Sequence, residues 1–199
     1  MRRQLLGLIA AASLAVPAFA ALQSGEKAPE FTAPASHAGK TFTYSLKSAL
    51  KRGPVVVYFY PSAYTGGCDL QAHTFAANFD KFAAAGASIV GVSLDSIQRL
   101  NDFSADPNYC AGKFPTASDA GGAIAKSYGI GVHKGPPGLK DVRGVEIGHD
   151  FADRVTFVVM PDGKIAATIG GRGVAPDENV KQALAEVEHL AAKHGHAHG

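Results

Sequence analysis

Residues 55–68 read VVVYFYPSAYTGGC and combine an apolar run with a turn that ends in a cysteine. The unbroken apolar run at 55–60 is typical of a buried strand, and the amphipathic segment 70–82 predicts a helix. Cys68 then lies in the first turn of that helix, where unpaired N–H groups and the positive end of the helix dipole favour a thiolate. Because the dipole supplies only part of the stabilisation that a reactive thiolate needs, we expect a second cation near the sulfur.

Outside this stretch, strand and helix patterns alternate along the chain. The predicted elements are a strand at 42–44, a helix at 46–51, a strand at 89–94, a helix from Ser96 to about Phe103, a helix opened by Asp119, strands at 155–160 and 165–169, and a final helix at 180–190. The Pro-Asp-Gly turn at 161–163 joins two strands as a hairpin, while the Gly- and Pro-rich residues 131–150 predict a long loop. This order predicts one three-layer α/β domain with a mixed central sheet.

The first twenty residues have the pattern of a signal peptide. Arg2 and Arg3 precede an apolar stretch at 5–16, and the small-x-small sequence Ala18-Phe19-Ala20 predicts cleavage after Ala20. The apolar part is too short for a spanning helix, although an uncleaved anchor is the alternative. We therefore expect residues 1–20 to be a signal peptide and residues 21–199 to be one exported domain, periplasmic if the source is a Gram-negative bacterium.

The charge of the chain gives no indication of a polyanionic partner. The sequence has 19 basic and 17 acidic residues, and two of the basic ones lie in the predicted signal peptide. The mature chain is then neutral, which argues against nucleic acid or an anionic membrane surface as a partner. Its length suits one domain with a substantial core.

The sequence contains two cysteines, Cys68 and Cys110. In an oxidising compartment they can pair, either as a stabilising disulfide or as one that forms and breaks during catalysis.

The order of Pro61, Thr65 and Cys68 resembles the P-x-x-x-T-x-x-C active-site motif of the peroxiredoxins, thiol peroxidases of the alkyl hydroperoxide reductase C and thiol-specific antioxidant superfamily. The following Gln71 and Phe75 most resemble the bacterioferritin-comigratory (Q-type) branch. The similarity covers roughly residues 25–187. It implies a thioredoxin-like fold and reduction of hydrogen peroxide and organic hydroperoxides, with no metal or other cofactor. It also implies a thioredoxin-like protein or a small thiol as reductant, and a monomer or weak homodimer.

The resemblance assigns roles to the motif residues. Cys68 attacks the O–O bond and becomes a sulfenic acid, with the Thr65 hydroxyl near both the thiolate and the peroxide. Thr65 is alternatively a helix N-cap. Pro61 shields the pocket, or simply ends the strand. Gly67 is predicted to bind substrate, since its N–H and that of Cys68 can hold an oxyanion.

Arg154 directly precedes a predicted strand and resembles the active-site arginine of the family, which implies that it stabilises the thiolate and polarises the peroxide. The alternative is a surface arginine, and Arg143 and Arg172 are nearby competitors. Gln71 is predicted to support the substrate-binding site as a hydrogen-bonding residue behind it, with solvent exposure as the alternative.

The sequence departs from the family at the second cysteine. Many Q-type members carry a resolving cysteine at the position of His73, whereas Cys110 lies 42 residues after Cys68. A subgroup with a more distant resolving cysteine implies a Cys68–Cys110 disulfide that forms after local unwinding. The alternative is a one-cysteine cycle resolved by an external thiol, and His73 is expected to be an ordinary helix-surface histidine.

Other functions fit the sequence less well. A thiol-disulfide oxidoreductase usually has C-x-x-C, but Thr65 stands where the first cysteine would lie, and a copper chaperone with C-x-x-x-C would need a cysteine at Ala72. A redox-inert thioredoxin-like binding module is the third alternative. The tail histidines predict either weak metal capture or, as we favour, a polar chain end: His189, His194, His196 and His198.

Overall fold

The computed structural model describes residues 20–171 and 173–195. Within them the strands are β1 (Thr32–His37), β2 (Lys40–Ser45), β3 (Val55–Phe59), β4 (Ser88–Ser93), β5 (Thr116–Ser118), β6 (Val132–His133), β7 (Phe151–Ala152), β8 (Val155–Val159) and β9 (Ile165–Gly170). The helices are α1 (Leu46–Leu50), α2 (Gly66–Ala77), α3 (Phe79–Ala84), α4 (Ile97–Ala105), α5 (Ala123–Ser127) and α6 (Pro176–Gly195).

The large sheet is mixed, with β3 near its centre. Its strand order is β2-β1-β5-β4-β3-β8-β9, with β4 parallel to both β3 and β5 and the other neighbours antiparallel. β6 and β7 form a separate two-stranded sheet. All five residues of β3 are buried, as expected for a strand whose two faces are both covered. These features confirm the predicted α/β class with a mixed central sheet.

Two apolar clusters lie on opposite faces of this sheet, because successive side chains of a strand point in opposite directions. Val57 and Phe59 belong to one cluster, and Val56 and Tyr58 belong to the other. The first cluster includes side chains of α1 and α5, for example Leu46 and Ala125. The second includes side chains of α2, α4 and α6, together with both cysteines: Cys68, Phe75, Phe103, Cys110 and Val180. The domain therefore has three layers.

The structure differs from the predicted elements in several places, which include β1 and β7, neither of them predicted as a strand. The helix predicted at 70–82 begins at Gly66 and is divided at Asn78, whose side chain donates to the Thr74 carbonyl (2.9 Å) and so competes with the helical ladder. β5 was missed because three residues give too short a pattern. Part of the predicted loop at 131–150 is the strand β6, while the remainder is irregular as expected.

Several sequence predictions fall outside the described residues. They include the signal peptide up to residue 19, Arg172, His196, His198 and the side chain of His194. Among the residues described, no helix has the length and apolar character needed to cross a membrane. The same residues contain no group of three or more acidic, histidine or cysteine side chains arranged to hold a metal ion.

Candidate active site

Cys68 is the third residue of α2 and lies where the chain leaves β3, as the sequence predicted. Its side chain is only 2% exposed. The Nη2 of Arg154 donates a hydrogen bond to the Cys68 Sγ over 3.2 Å. Such a charge-assisted contact favours the thiolate over the thiol. The site therefore contains a sulfur nucleophile with a fixed cation beside it.

Arg154 reaches Cys68 because of the antiparallel pairing between β3 and β8. That pairing sets Phe59, the last residue of β3, opposite Val155, the first residue of β8. The residue before Val155 then lies beside the chain that runs from β3 to Cys68. The alternative prediction of a surface arginine is wrong, since the Arg154 side chain is half-buried and bonded to groups of the site.

Arg143, one of the competing arginines, is used elsewhere. Its Nε and Nη2 donate to the Asp141 carboxylate over 3.1 and 2.9 Å. Its guanidinium carbon lies 3.3 Å from the centroid of the Tyr64 ring. Arg143 thus supports the loop before Cys68 through a cation–π contact.

Thr65 is the N-cap residue of α2 by backbone conformation, but its side chain makes no capping hydrogen bond. Its Oγ1 instead donates to the Ser62 carbonyl oxygen over 2.8 Å. The side-chain cap considered for Thr65 is therefore wrong. With its proton committed to Ser62, the hydroxyl oxygen can still accept a hydrogen bond from a group that enters the site.

The predicted oxyanion pair needs a correction. The N–H of Cys68 already donates to the Thr65 carbonyl oxygen over 2.8 Å, so it is not available for a substrate oxygen. Gly67 has a steric effect that the sequence did not predict: a Cβ at this position would lie 3.2 Å from the Arg154 Nη2. The absence of a side chain at Gly67 therefore lets the guanidinium approach. Pro61 lies half-buried just beyond the end of β3, and its roles in shielding the pocket or ending the strand stay predictions.

Gln71 is fully buried, so its predicted solvent exposure is wrong. Its Oε1 accepts a short hydrogen bond from Nη1 of Arg154, and its Nε2 donates to the Oδ1 of Asn179 over 2.9 Å. Both polar ends of the amide thus have partners within the protein, so Gln71 is a hydrogen-bonding residue behind the site, as predicted, and its contact with substrate stays a prediction. Asn179 was missed, although a polar residue on the same buried helix face as Ala183 and Val187 signals a buried hydrogen bond.

Cys110 is a free and fully buried thiol in the segment after α4, within the same apolar cluster as Cys68. Burial raises the pKa of Cys110 well above its usual value, and the charges of Asp69 and Asp106 act in the same direction. Cys110 is therefore protonated and unreactive in this conformation.

His73 is exposed and contacts the Asn108 carbonyl through Nδ1 (3.2 Å), in agreement with its predicted surface position.

A second polar group, missed in the sequence, clamps the loop at 60–65 that leads to Cys68. The Asp95 carboxylate accepts from the N–H of Ala63 (2.8 Å) and contacts His149 Nε2 (2.8 Å) and Arg99 Nε (2.8 Å). Arg99 also donates to the Ala63 carbonyl (2.9 Å) and pairs with Asp141 (2.7 Å). The end of β4, the loop at 60–65 and the segment 131–150 are thereby joined by charged contacts.

The ionisation of this clamp is set by its own contacts. Burial disfavours a charge on Asp95, but the hydrogen bond and charge of His149, with help from Ala63 and Ser93, hold the pKa of Asp95 below its usual value. Burial also disfavours the imidazolium, but the Asp95 carboxylate raises the pKa of His149. The pair is thus stabilised in its charged form.

The chain is similar to proteins of one known family and to solved structures. Residues 24–168 match the AhpC/TSA family. A Mycobacterium tuberculosis protein that bears the name peroxiredoxin is 37% identical over 145 residues, which cover 72% of this chain and 82% of the relative. Peroxiredoxin Bcp of Xanthomonas campestris is 34% identical over 111 residues, or 56% of this chain and 62% of the relative. The crystal structure of peroxidoxin BcpB from M. tuberculosis superposes with a TM-score of 0.70 at 28% identity, covering 85% of this chain and 98% of that one.

Proposed function

Because the chain belongs to the AhpC/TSA family and is accordingly a thiol-dependent peroxidase with a thioredoxin-like fold, we propose that Cys68 is the thiol that reacts with peroxide. The observation that carries this proposal is the contact between the Arg154 guanidinium and the Cys68 sulfur (3.2 Å). In the described part of the chain the other cysteine, Cys110, has no such cation and is buried as a thiol.

The proposed reaction is a nucleophilic displacement at oxygen. The Cys68 thiolate attacks one oxygen of ROOH, so that an S–O bond forms as the O–O bond breaks. The sulfur is oxidised to a sulfenic acid, and the other oxygen leaves as ROH after gaining a proton. Arg154 stabilises both the thiolate and the charge that develops on the leaving oxygen. The Thr65 oxygen, whose own proton is held by Ser62, accepts a hydrogen bond from the peroxide OH.

Cys110 is proposed to resolve the sulfenic acid. Its thiolate attacks the Cys68 sulfur, a disulfide forms, and hydroxide leaves and is protonated to water. Both cysteines lie in one apolar cluster, with Cys110 outside any helix and Cys68 in the first turn of α2. Because both side chains are buried, disulfide formation requires this part of the chain to unwind locally. Since burial keeps Cys110 protonated, it reacts only after the segment opens. A one-cysteine cycle with an external thiol is the alternative.

We propose that a thiol reductant completes the cycle and that the protein is exported. A thioredoxin-type protein or a small thiol returns the oxidised sulfur to the thiol, and the enzyme acts as a monomer or weak homodimer. Residues 1–20 direct export to the periplasm. Cleavage after Ala20 would leave the domain whole, since Leu22 is bonded to Tyr128 (3.1 Å) and Thr168 (2.7 Å).

Two variants test these assignments. Peroxide consumption is measured with dithiothreitol as electron donor for the wild type, Cys68→Ser and Cys110→Ser. We expect no activity above background in the first variant. The second keeps a fast first oxidation of Cys68 but forms no intramolecular disulfide. Activity in Cys68→Ser would overturn the assignment of the reacting thiol. If the oxidised wild type contains no intramolecular disulfide, the one-cysteine cycle is favoured.

A further inference from the structure

Asn179 of α6 is a fully buried polar residue that lies behind the active site. Its Nδ2 donates to the Ile169 carbonyl oxygen of β9 over 3.0 Å. Its Oδ1 accepts from the Nε2 of Gln71 (2.9 Å) and from the Oγ1 of Thr156 (2.6 Å). Every polar atom of the Asn179 amide therefore has a partner, and one of these partners is the residue that contacts Arg154.

These contacts form a chain of hydrogen bonds, and the backbone carbonyl at its Ile169 end decides which group donates and which accepts in each bond. A backbone carbonyl can only accept, so Ile169 requires the NH2 group of Asn179 to face it. The Asn179 oxygen then faces Gln71, which must present its own NH2 group. The Gln71 oxygen is left to face Arg154, which can only donate. The second arm of the same guanidinium points at the Cys68 sulfur.

We propose that Asn179 is a positioning residue for the peroxidase reaction: it fixes the orientation of the Gln71 amide and thereby aims Arg154 at Cys68. The inference rests on the proposed role of Cys68 as the reacting thiolate. Asn179 touches neither sulfur nor peroxide. Its effect is transmitted through two hydrogen bonds, which hold a flexible guanidinium in one of its many rotamers.

The physical reason is the buried position of the glutamine side chain. Without Asn179 the Gln71 NH2 group has no acceptor in the core, so the amide turns towards another partner and its oxygen no longer lies in line with the guanidinium. Arg154 would then leave the orientation in which one arm bonds Gln71 and the other bonds Cys68. Misplacement of a catalytic group by about 1 Å can lower a rate by ~100-fold.

The test compares Asn179→Leu with Thr156→Val. Both changes remove the buried hydrogen bond between Thr156 and the Asn179 Oδ1. Only Asn179→Leu also removes the hydrogen bond to Gln71 and so interrupts the contacts that lead to Arg154. The readout is the pH dependence of Cys68 alkylation by iodoacetamide, with the modified residue located by peptide mass, together with the second-order rate constant for hydrogen peroxide. Alkylation is independent of peroxidase turnover, so it reports on the thiolate alone.

We expect Asn179→Leu to shift the pH profile of Cys68 alkylation upward and to lower the peroxide rate constant ~10-fold at pH 6, because Arg154 is no longer held against the sulfur. Thr156→Val should stay within about twofold of the wild type. Gln71→Met breaks the chain one step later, so adding it to Asn179→Leu should give no further shift. If Asn179→Leu does not fold, Asn179→Ala removes the same amide without adding bulk.

The inference is overturned if Asn179→Leu keeps the wild-type profile, if Thr156→Val shifts the profile equally, or if the Gln71 and Asn179 effects add. Failure of the proposed function has a different signature. In that case the wild type itself would not react with peroxide through Cys68, whatever the profiles of the variants.

Discussion

Replacement of Arg154 by methionine removes the cation from the Cys68 sulfur and keeps an unbranched apolar side chain in its place. The structure sets the size of the effect through the 3.2 Å contact between the Arg154 Nη2 and the Cys68 Sγ. Two unit charges at that distance attract by about 1 kcal/mol at the dielectric constant of water and by about 5 kcal/mol at the effective value of ~20 that applies near a protein surface. The half-buried position of Arg154 places the effect between these limits.

We therefore expect Arg154→Met to lower the rate of Cys68 alkylation at neutral pH by roughly 100-fold, which corresponds to about 2.7 kcal/mol. The rate constant for hydrogen peroxide should fall further, by ~1000-fold or more, because Arg154 also stabilises the departing oxygen. The assay is the alkylation rate between pH 4 and pH 10 in a Cys110→Ser background, so that one sulfur reports, followed by stopped-flow measurement of peroxide reduction.

Arg154→Lys is the matched control. A lysine keeps the charge, but its single ammonium group cannot reproduce the two-armed contact with Gln71 and Cys68, so an intermediate rate is expected. If Arg154→Met alkylates at the wild-type rate and reduces peroxide within twofold of the wild-type rate, the reasoning from the 3.2 Å contact is refuted.

Two further predictions concern stability and pH. The pKa of His149 is raised, so its pairing with Asp95 stabilises the fold fully below the ordinary histidine pKa of ~6.5 and loses that effect as pH rises through the higher folded value. His149→Gln should therefore flatten the pH dependence of the free energy of chemical unfolding above pH 6. An unchanged pH dependence in this variant would contradict the prediction. Burial raises the pKa of Asp69 to about 6, so the folded state binds that proton more tightly and loses stability as pH rises between ~4 and ~6. Asp69→Asn should therefore be more stable than the wild type at pH 7, by about 1 kcal/mol after allowance for solvent screening of the half-exposed carboxylate, with no gain at pH 4. Equal unfolding midpoints of the two proteins at pH 7 would contradict a buried charge at this position.

The sequence alone was sufficient for the features that depend on local pattern. The apolar run and the glycines before Cys68 predicted the strand, the turn and the helix that the structure contains. Arg154 was identified by its resemblance to the family's active-site arginine at the head of a predicted strand, and antiparallel pairing with β3 brings it to the cysteine. The hairpin at 161–163 and the buried face of α6 followed from the same kind of signal.

The features that were missed depend on contacts between distant parts of the chain. Gln71 and Asn179 are 108 positions apart, and Asp95 and His149 are 54 apart, so no local period relates them. For the same reason the sequence predicted that Gln71 makes hydrogen bonds but did not reveal that its partners are Arg154 and Asn179. The segment 131–150 lacks an apolar pattern, and the Asp141 carboxylate within it bonds instead to Arg99 and to the N–H of Val145.

The most direct test of the account is the intact mass of the reduced mature protein after one equivalent of hydrogen peroxide. We expect the wild type to lose two hydrogens as Cys68 and Cys110 join, Cys110→Ser to gain oxygen at Cys68, and Cys68→Ser to stay unchanged. A wild-type mass that does not change within minutes, or a change that persists in Cys68→Ser, would contradict the assignment of Cys68 as the thiol that reacts with peroxide.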